Sequence, residues 1–383
     1  MATVIRHAAI PVRTLQGIAW ETHDIRIENS IIQGFDGEIQ PGDSVMDGTG
    51  QILFPLFFNI HCHLGESLYQ IEGNDWTISK YLAHTSEIQN SMNPEERDRY
   101  WMQSAEVTIR ELIKNGTGGF CAARSAEIAQ RYHLCTMAGY PLMLSKKLKA
   151  FHAAGLSGYM TYYHQHVSQS CAVGIFLHSL YMADEALLRL TSDCFQYHAD
   201  FITVHISEDM ETRRMEQRKF GKPPVFVLEE YGLLKENTIL VHGGYLSEEE
   251  LLLIQKRNAV IAVCPISNVF LNTRMPDIAV LKKYHIRWCL ATDGLATGRT
   301  FSMAAQATKL KEYFPFLKNE EILESMTVIP AQIFRKKSYS GEIRTGTKAA
   351  FIAVQGNAEE PPEVILEAFF SDKALWSVID YDN

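Results

Sequence analysis

The chain has 383 residues, 46% of them hydrophobic and 21% charged, with a formal net charge of −9. That length suits one large barrel-type domain beside a smaller one, and the spread negative charge argues against nucleic acid or an anionic membrane as partner. No apolar signal segment opens the chain, no run approaches the roughly 18 apolar residues of a membrane span, and seven cysteines without a Cys-x-x-Cys pair fit reduced thiols in a cytoplasmic setting.

In chain order, residues 4–10, 22–27 and 30–35 are β-like, punctuated by Gly37, Pro41-Gly42 and Gly48. From about residue 52 apolar strands alternate with helical stretches, the pattern of a parallel α/β fold. Eight strands are expected, at 52–60, 118–122, 141–144, 172–177, 201–206, 238–241, 260–264 and 287–291. The clearest helices between them are 94–114, 183–197, 247–256 and 301–313. Pro94-Glu95-Glu96 is a good start for the first of these and Asn115-Gly116 a good stop. The alternation predicts a (β/α)8 TIM barrel over residues 51–335. β-like sequence returns at 341–343 and 351–354, so residues 1–50 and 336–383 are expected to form the two parts of a small composite β-sandwich domain.

Barrel enzymes place their chemistry at the C-terminal ends of the strands, and here those positions are polar. The first strand ends in His61-Cys62-His63, and alternate strand residues face the same way, so two imidazoles can serve one metal ion. A second His-x-His, His164-Gln165-His166, lies in a Tyr-rich stretch that reads as a helix, where i and i+2 diverge. It is expected to be surface or packing. Later strand ends supply His178, His205-Ile206-Ser207-Glu208, His242-Gly243, Ser267-Asn268 and Thr292-Asp293-Gly294. A single histidine is ordinarily a core or surface group; so many at successive strand ends make a poor coincidence.

His61, His63, His205 and Asp293 form a nitrogen/oxygen set for one divalent ion per subunit, Zn²⁺ ahead of Fe²⁺. Such an ion lowers the pKa of a bound water from about 16 to roughly 7. Asp293 is expected to ligate and also to take that water's proton. Glu208, three residues past a ligand, is placed to protonate a ring nitrogen and then pass a proton to the leaving group. His242 is expected to orient the water or steady the developing oxyanion.

In these motifs the chain resembles the amidohydrolase superfamily, and within it the cytosine deaminase-like and chlorohydrolase (ATZ/TRZ) branch. That branch also holds guanine, S-adenosylhomocysteine/methylthioadenosine and aminodeoxyfutalosine deaminases. Asn59-Ile60-His61-Cys62-His63, His205-Ile206-Ser207-Glu208, Val241-His242-Gly243, Cys264-Pro265-Ile266-Ser267-Asn268 and Thr292-Asp293-Gly294 come in the family's order. The resemblance implies a mononuclear metal site with no carbamylated lysine. It implies hydrolytic deamination of a small amino-heterocycle (a purine, pyrimidine, pterin or related base or nucleoside) by metal-bound hydroxide, with release of ammonia. It also implies that His178 contacts the substrate or its leaving group, and that Thr297 stands where relatives place a Ser after the Asp-Gly motif. Gln70 and Trp76 are expected to line the pocket as hydrogen-bonding and stacking groups.

Some departures matter. Leu56 stands where glycine is common before the histidine motif. The arginines that nucleoside-specific relatives use between strands three and four are not evident, Lys146-Lys147 occupying that region, and Glu87 aligns with a ribose-binding carboxylate only through gaps. Free base and nucleoside therefore both stay open. Two neighbouring readings keep the metal and change the bond: a chlorohydrolase, or a hydrolase of a cyclic amide or imidazolone. A third, from a different class, is a metal-stabilised binding module, against which Glu208 and His242 together argue. Dimerisation is common among such barrels, and a homodimer is expected on that ground alone.

Overall fold

A computed structural model describes residues 2–69, 71–73, 75–145 and 149–380, without the side chains of residues 149, 150 and 152. Five strands open the chain: β1 (Thr3–Thr14), β2 (Gly17–Glu28), β3 (Ile31–Phe35), β4 (Ser44–Asp47) and β5 (Gln51–Pro55). Eight more alternate with helices: β6 (Phe57–Asn59), β7 (Thr117–Ala123), β8 (Cys135–Leu142), β9 (Cys171–Ser179), β10 (Ile202–Ile206), β11 (Thr238–His242), β12 (Val260–Val263) and β13 (Arg287–Leu290). Near the C-terminus lie β14 (Ala350–Gln355) and β15 (Trp376–Asp380).

β6 to β13 hydrogen-bond in chain order as one eight-stranded parallel sheet with helices between the strands. The sheet curls almost shut. Asn59 Nδ2 donates to Thr292 Oγ1 at 2.7 Å, and the Asp293 amide donates to the His61 carbonyl at 3.2 Å, so the first and last strands meet at their ends. This is a (β/α)8 barrel, as the alternation of apolar strands and helices predicts. The remaining strands form a separate seven-stranded sheet of order β15-β14-β5-β1-β2-β3, with β4 beside β1.

Two strand boundaries differ from the sequence expectation. The apolar run 52–60 is not one strand. Its first half pairs antiparallel with β14, from Gln51 opposite Gln355 to Pro55 opposite Phe351, while after Leu56 the Phe57 amide bonds instead to the Gly116 carbonyl. Both halves are buried on both faces, so neither period nor polarity marks the break. The third barrel strand starts at Cys135, not residue 141. Gly139 and Pro141 read as punctuation but sit inside it, Gly139 because a Cβ there would lie 2.7 Å from Phe176 Cβ on β9.

Two helices matter most for the site. α1 (Ile78–Asn90) starts at Thr77, whose hydroxyl accepts from the Lys80 amide. α2 (Pro94–Lys114) starts with a reciprocal cap: Asn93 Oδ1 accepts from the Glu96 amide at 3.0 Å, and Glu96 Oε2 from the Asn93 amide at 2.8 Å. The helix Lys149–His166 carries His164 and His166; His164 Nε2 meets the Tyr197 hydroxyl and His166 packs on the Tyr162 ring, as a packing role requires.

The chain groups into two compact units, one of residues 1–58, 112–119 and 302–383, the other of residues 59–111 and 120–301. The first is cored by aromatic packing, with Phe369 stacked on Phe54 and Phe57 at centroid separations of 5.7 and 6.0 Å. All the side chains discussed next belong to the second. Among the described residues, no helix is long and apolar enough to cross a membrane.

Candidate metal centre

His61 and His63 follow β6, and His205 is the fourth residue of β10. Their Nε2 atoms face one another: 3.2 Å between His61 and His63, 3.3 Å between His63 and His205, and 3.2 Å between His205 and His61. Asp293, just past β13, brings Oδ1 to 3.1 Å from His63 Nε2 and 3.6 Å from His61 Nε2. These four donors all lie within 4.8 Å of one another. Donors about 2.1 Å from a shared ion, at angles between right and tetrahedral, stand roughly 3.0–3.4 Å apart. The three imidazole edges and the His63–Asp293 edge are of that size, and the His61–Asp293 edge is longer at 3.6 Å.

The charge states also fit. Burial first, and the neighbouring histidines second, hold His205 well below the ordinary histidine range, and burial lowers His61, so both carry free lone pairs. His205 Nδ1 lies 2.7 Å from the His178 carbonyl, an acceptor; Nδ1 therefore carries the proton and Nε2 is left bare toward the cluster. At His63 burial opposes charge, but Glu66 and Asp293 outweigh it and hold a proton up to about 9. Burial alone would raise Asp293, yet the His61 and His63 imidazoles beside it hold it well below the carboxylate range.

Asp293 is fixed from behind. Its Oδ2 accepts from Ser267 Oγ at 2.6 Å and from Thr297 Oγ1 at 2.8 Å, which leaves Oδ1 for the histidines. Ser207, His242 and Asp293, each at or just past a strand end, adopt φ of 45°, 69° and 63°, backbone that non-glycine residues avoid unless the surroundings impose it.

Two groups flank the cluster. Burial, then the charges of Asp293 and Asp209, pushes Glu208 well above the carboxylate range, so it stands as a neutral acid. Its Oε1 is 3.4 Å from His242 Nε2. Burial lowers His242 to about 4 and, with His63 and His61, lowers His178 to about 3, so both are neutral imidazoles. His178, Glu208, His242, Thr297 and Asp293 all line one cavity of about 670 Å³, together with His63 and His205.

The amidohydrolase family model matches residues 52–378. The chain belongs to the amidohydrolase family. This amidohydrolase is 27% identical over 361 residues to a 5-methylthioadenosine/S-adenosylhomocysteine deaminase of Pyrococcus furiosus, covering 84% of this chain and 80% of that protein. Among solved structures it is similar to an adenosine deaminase from Xanthomonas campestris with bound zinc, at TM-score 0.81 and 17% identity over 96% of this chain and 89% of that one. It is equally similar to the guanine deaminase of C. acetobutylicum with bound guanine, at TM-score 0.81 and 17% identity over 99% of each chain.

The remaining expected site residues of this amidohydrolase fall differently. Gln70 lies outside the described residues. Trp76 is not among the cavity-lining residues; its indole donates to the Glu72 carbonyl at 2.8 Å and its ring packs beside His84. Glu87 is exposed on α1 and likewise absent from the lining. The lining also includes groups that the sequence did not single out. Glu66 stands beside His63, and Arg124, just past β7, holds its guanidinium 4.6 Å over the Trp101 ring. The one signal for Glu66 is its place three residues after His63.

Proposed function

We propose that this amidohydrolase is a metal-dependent aminohydrolase that removes an exocyclic amine from a small amino-heterocycle and releases ammonia. The observation that carries the proposal is the convergence of His61, His63, His205 and Asp293, with a neutral acid, Glu208, on the cavity that His63, His205 and Asp293 line. The deaminase relative supports an aminated purine as the ring. The cavity of about 670 Å³ lies within the roughly 300–1,000 Å³ typical of pockets for drug-sized ligands, so it has room for a ring that bears a substituent. Three imidazoles and one carboxylate suit Zn²⁺ ahead of Fe²⁺.

These four residues would hold a divalent ion, which would supply Lewis acidity and lower the pKa of a bound water to roughly 7. Asp293, its Oδ2 held by Ser267 and Thr297, would accept a proton from the attacking water. Glu208 would donate its proton to the ring nitrogen beside the reacting carbon, then as a carboxylate take the proton left on the added oxygen and pass it to the amine, which leaves as ammonia; the proton on Asp293 then restores the Glu208 acid. His242, neutral and 3.4 Å from Glu208, steadies the oxygen that gains charge. His178 closes the cavity wall on the His205 side, where it contacts the ring or leaving group.

The test is an ammonia-release screen of the zinc-loaded chain over purine bases, purine nucleosides, pyrimidines, pterins and triazines, with elemental analysis of the purified protein. We expect turnover of an aminopurine and one metal per chain, with a loss of roughly 10²–10⁴ in kcat for Glu208→Gln. Chloride released in place of ammonia would favour the chlorohydrolase reading. Unchanged turnover by Glu208→Gln would defeat the acid role.

A further inference from the structure

Glu66 lies in the turn that leads from the first barrel strand toward α1. Its Oε1 stands 3.4 Å from His63 Nδ1, the ring nitrogen that faces away from the donor cluster. Its Oε2 accepts a 2.6 Å hydrogen bond from the Tyr81 hydroxyl. The space for this carboxylate depends on the residue after Asp293. A Cβ at Gly294 would lie 2.5 Å from Glu66 Oε2 and 3.2 Å from His63 Cβ, although Gly294 has an ordinary negative φ. Tyr81 in turn belongs to a continuous helical stripe. Ile78, Tyr81, Leu82, Thr85, Ser86 and Gln89 of α1 all line the cavity, at the i, i+3, i+4, i+7 spacing of one helix face.

The geometry points to Glu66 as a positioning residue: its carboxylate fixes the His63 ring with the proton on Nδ1, and through Tyr81 it ties that ring to the helix that walls the substrate cavity. This rests on reading the cluster as a metal centre. An imidazole without an acceptor at Nδ1 can place its proton on Nε2 and lose its lone pair toward the ion; a carboxylate at Nδ1 removes that option and makes Nε2 a better donor. The Tyr81 hydroxyl holds the second carboxylate oxygen, so Glu66 cannot rotate away without breaking a bond to α1. One line of contacts thus runs from the helix that touches the substrate to a nitrogen that touches the ion.

The experiment is competition for Zn²⁺ between a chelator and the full chain, for wild type, Glu66→Gln, Tyr81→Phe and the double variant, with KM measured beside it. Glu66→Gln is expected to weaken zinc binding roughly 10- to 100-fold. Tyr81→Phe, which keeps the ring and removes one oxygen, is expected to weaken it about three- to tenfold. The double variant should be no worse than Glu66→Gln alone, because Tyr81 acts through Glu66. Unchanged zinc affinity with a raised KM in Glu66→Gln would make Glu66 a substrate contact and overturn the inference. Additive losses in the double variant would overturn the tie through Tyr81. Melting of the zinc-free proteins identifies a folding defect; should Glu66→Gln show one, Tyr81→Phe decides alone, and unchanged affinity there counts against the inference. A wild-type chain that takes up no zinc is a separate failure, that of the metal centre itself.

Discussion

Replacing Ser267 by alanine isolates one hydrogen bond at the centre of the proposed chemistry. Asp293 is only 5% exposed, and its Oδ2 has two hydroxyl donors, Ser267 at 2.6 Å and Thr297 at 2.8 Å. A hydrogen bond to a buried ionised group is worth about 1.5–3 kcal/mol, and about 1.4 kcal/mol is a factor of ten. If Asp293 gathers or passes a proton in the transition state, Ser267→Ala should lower kcat/KM roughly 10- to 150-fold. Thr297→Val removes the second donor at nearly constant volume. With both changes Oδ2 is buried and bare, so the double variant should lose more than the product of the single losses. The assay is steady-state ammonia release on the zinc-loaded variants, with metal content measured on the same samples. A Ser267→Ala protein that keeps its metal and stays within threefold of wild type would refute the reasoning, because it would mean that the charge on Asp293 does not depend on its hydroxyl donors.

Arg213 pairs with Glu250 at 2.7 Å and donates to Ser207 Oγ at 2.8 Å, with side-chain exposures of 9% and 0% across the ion pair. Arg213→Met strands a buried carboxylate and should cost about 3–5 kcal/mol in urea unfolding, much of it recovered by adding Glu250→Leu. Burial, against backbone donors from Tyr181 and Leu180, raises Glu216 to about 8. Its folded-state pKa is above its unfolded value, so its contribution to stability is fully present below the ordinary glutamate range and is lost as pH rises through about 8. Glu216→Gln should therefore flatten the fall in unfolding free energy between mildly acidic and mildly alkaline pH, as read from denaturant titrations across that window. Gly174→Ala would put a Cβ 2.3 Å from the Phe201 carbonyl oxygen, a backbone atom that cannot swing aside, and should lower stability by about 1–3 kcal/mol on thermal or urea unfolding.

The barrel was legible because its strands are short apolar runs whose ends turn abruptly polar, and the site was legible because those polar ends recur. His61 and His63 could be paired from spacing alone, since one intervening residue on extended chain leaves two side chains on one side. The break at Leu56 was not legible. Gln51–Pro55 and Phe57–Asn59 are buried all round, and only their hydrogen-bond partners, β14 on one hand and Gly116 on the other, tell them apart. Glu66 and Arg124 escaped for a different reason. Their contacts are ones that only the fold brings together: Glu66 with Tyr81, and the Arg124 guanidinium over the Trp101 ring. Trp76 reads as a stacking group by residue type, yet its indole is engaged with the Glu72 carbonyl and it packs against the apolar cluster that includes Ile71, Ile78 and Leu271.

The single stripe of α1 that lines the cavity has a consequence for how such an enzyme diversifies. Six of its positions line the cavity, so successive replacements along this helix are expected to reshape what the enzyme accepts without altering the donor cluster. Tyr81 is the exception, bound by its hydroxyl to Glu66. A combinatorial library at 78, 82, 85, 86 and 89 with residue 81 held constant should therefore yield altered selectivity at far higher frequency than inactive protein.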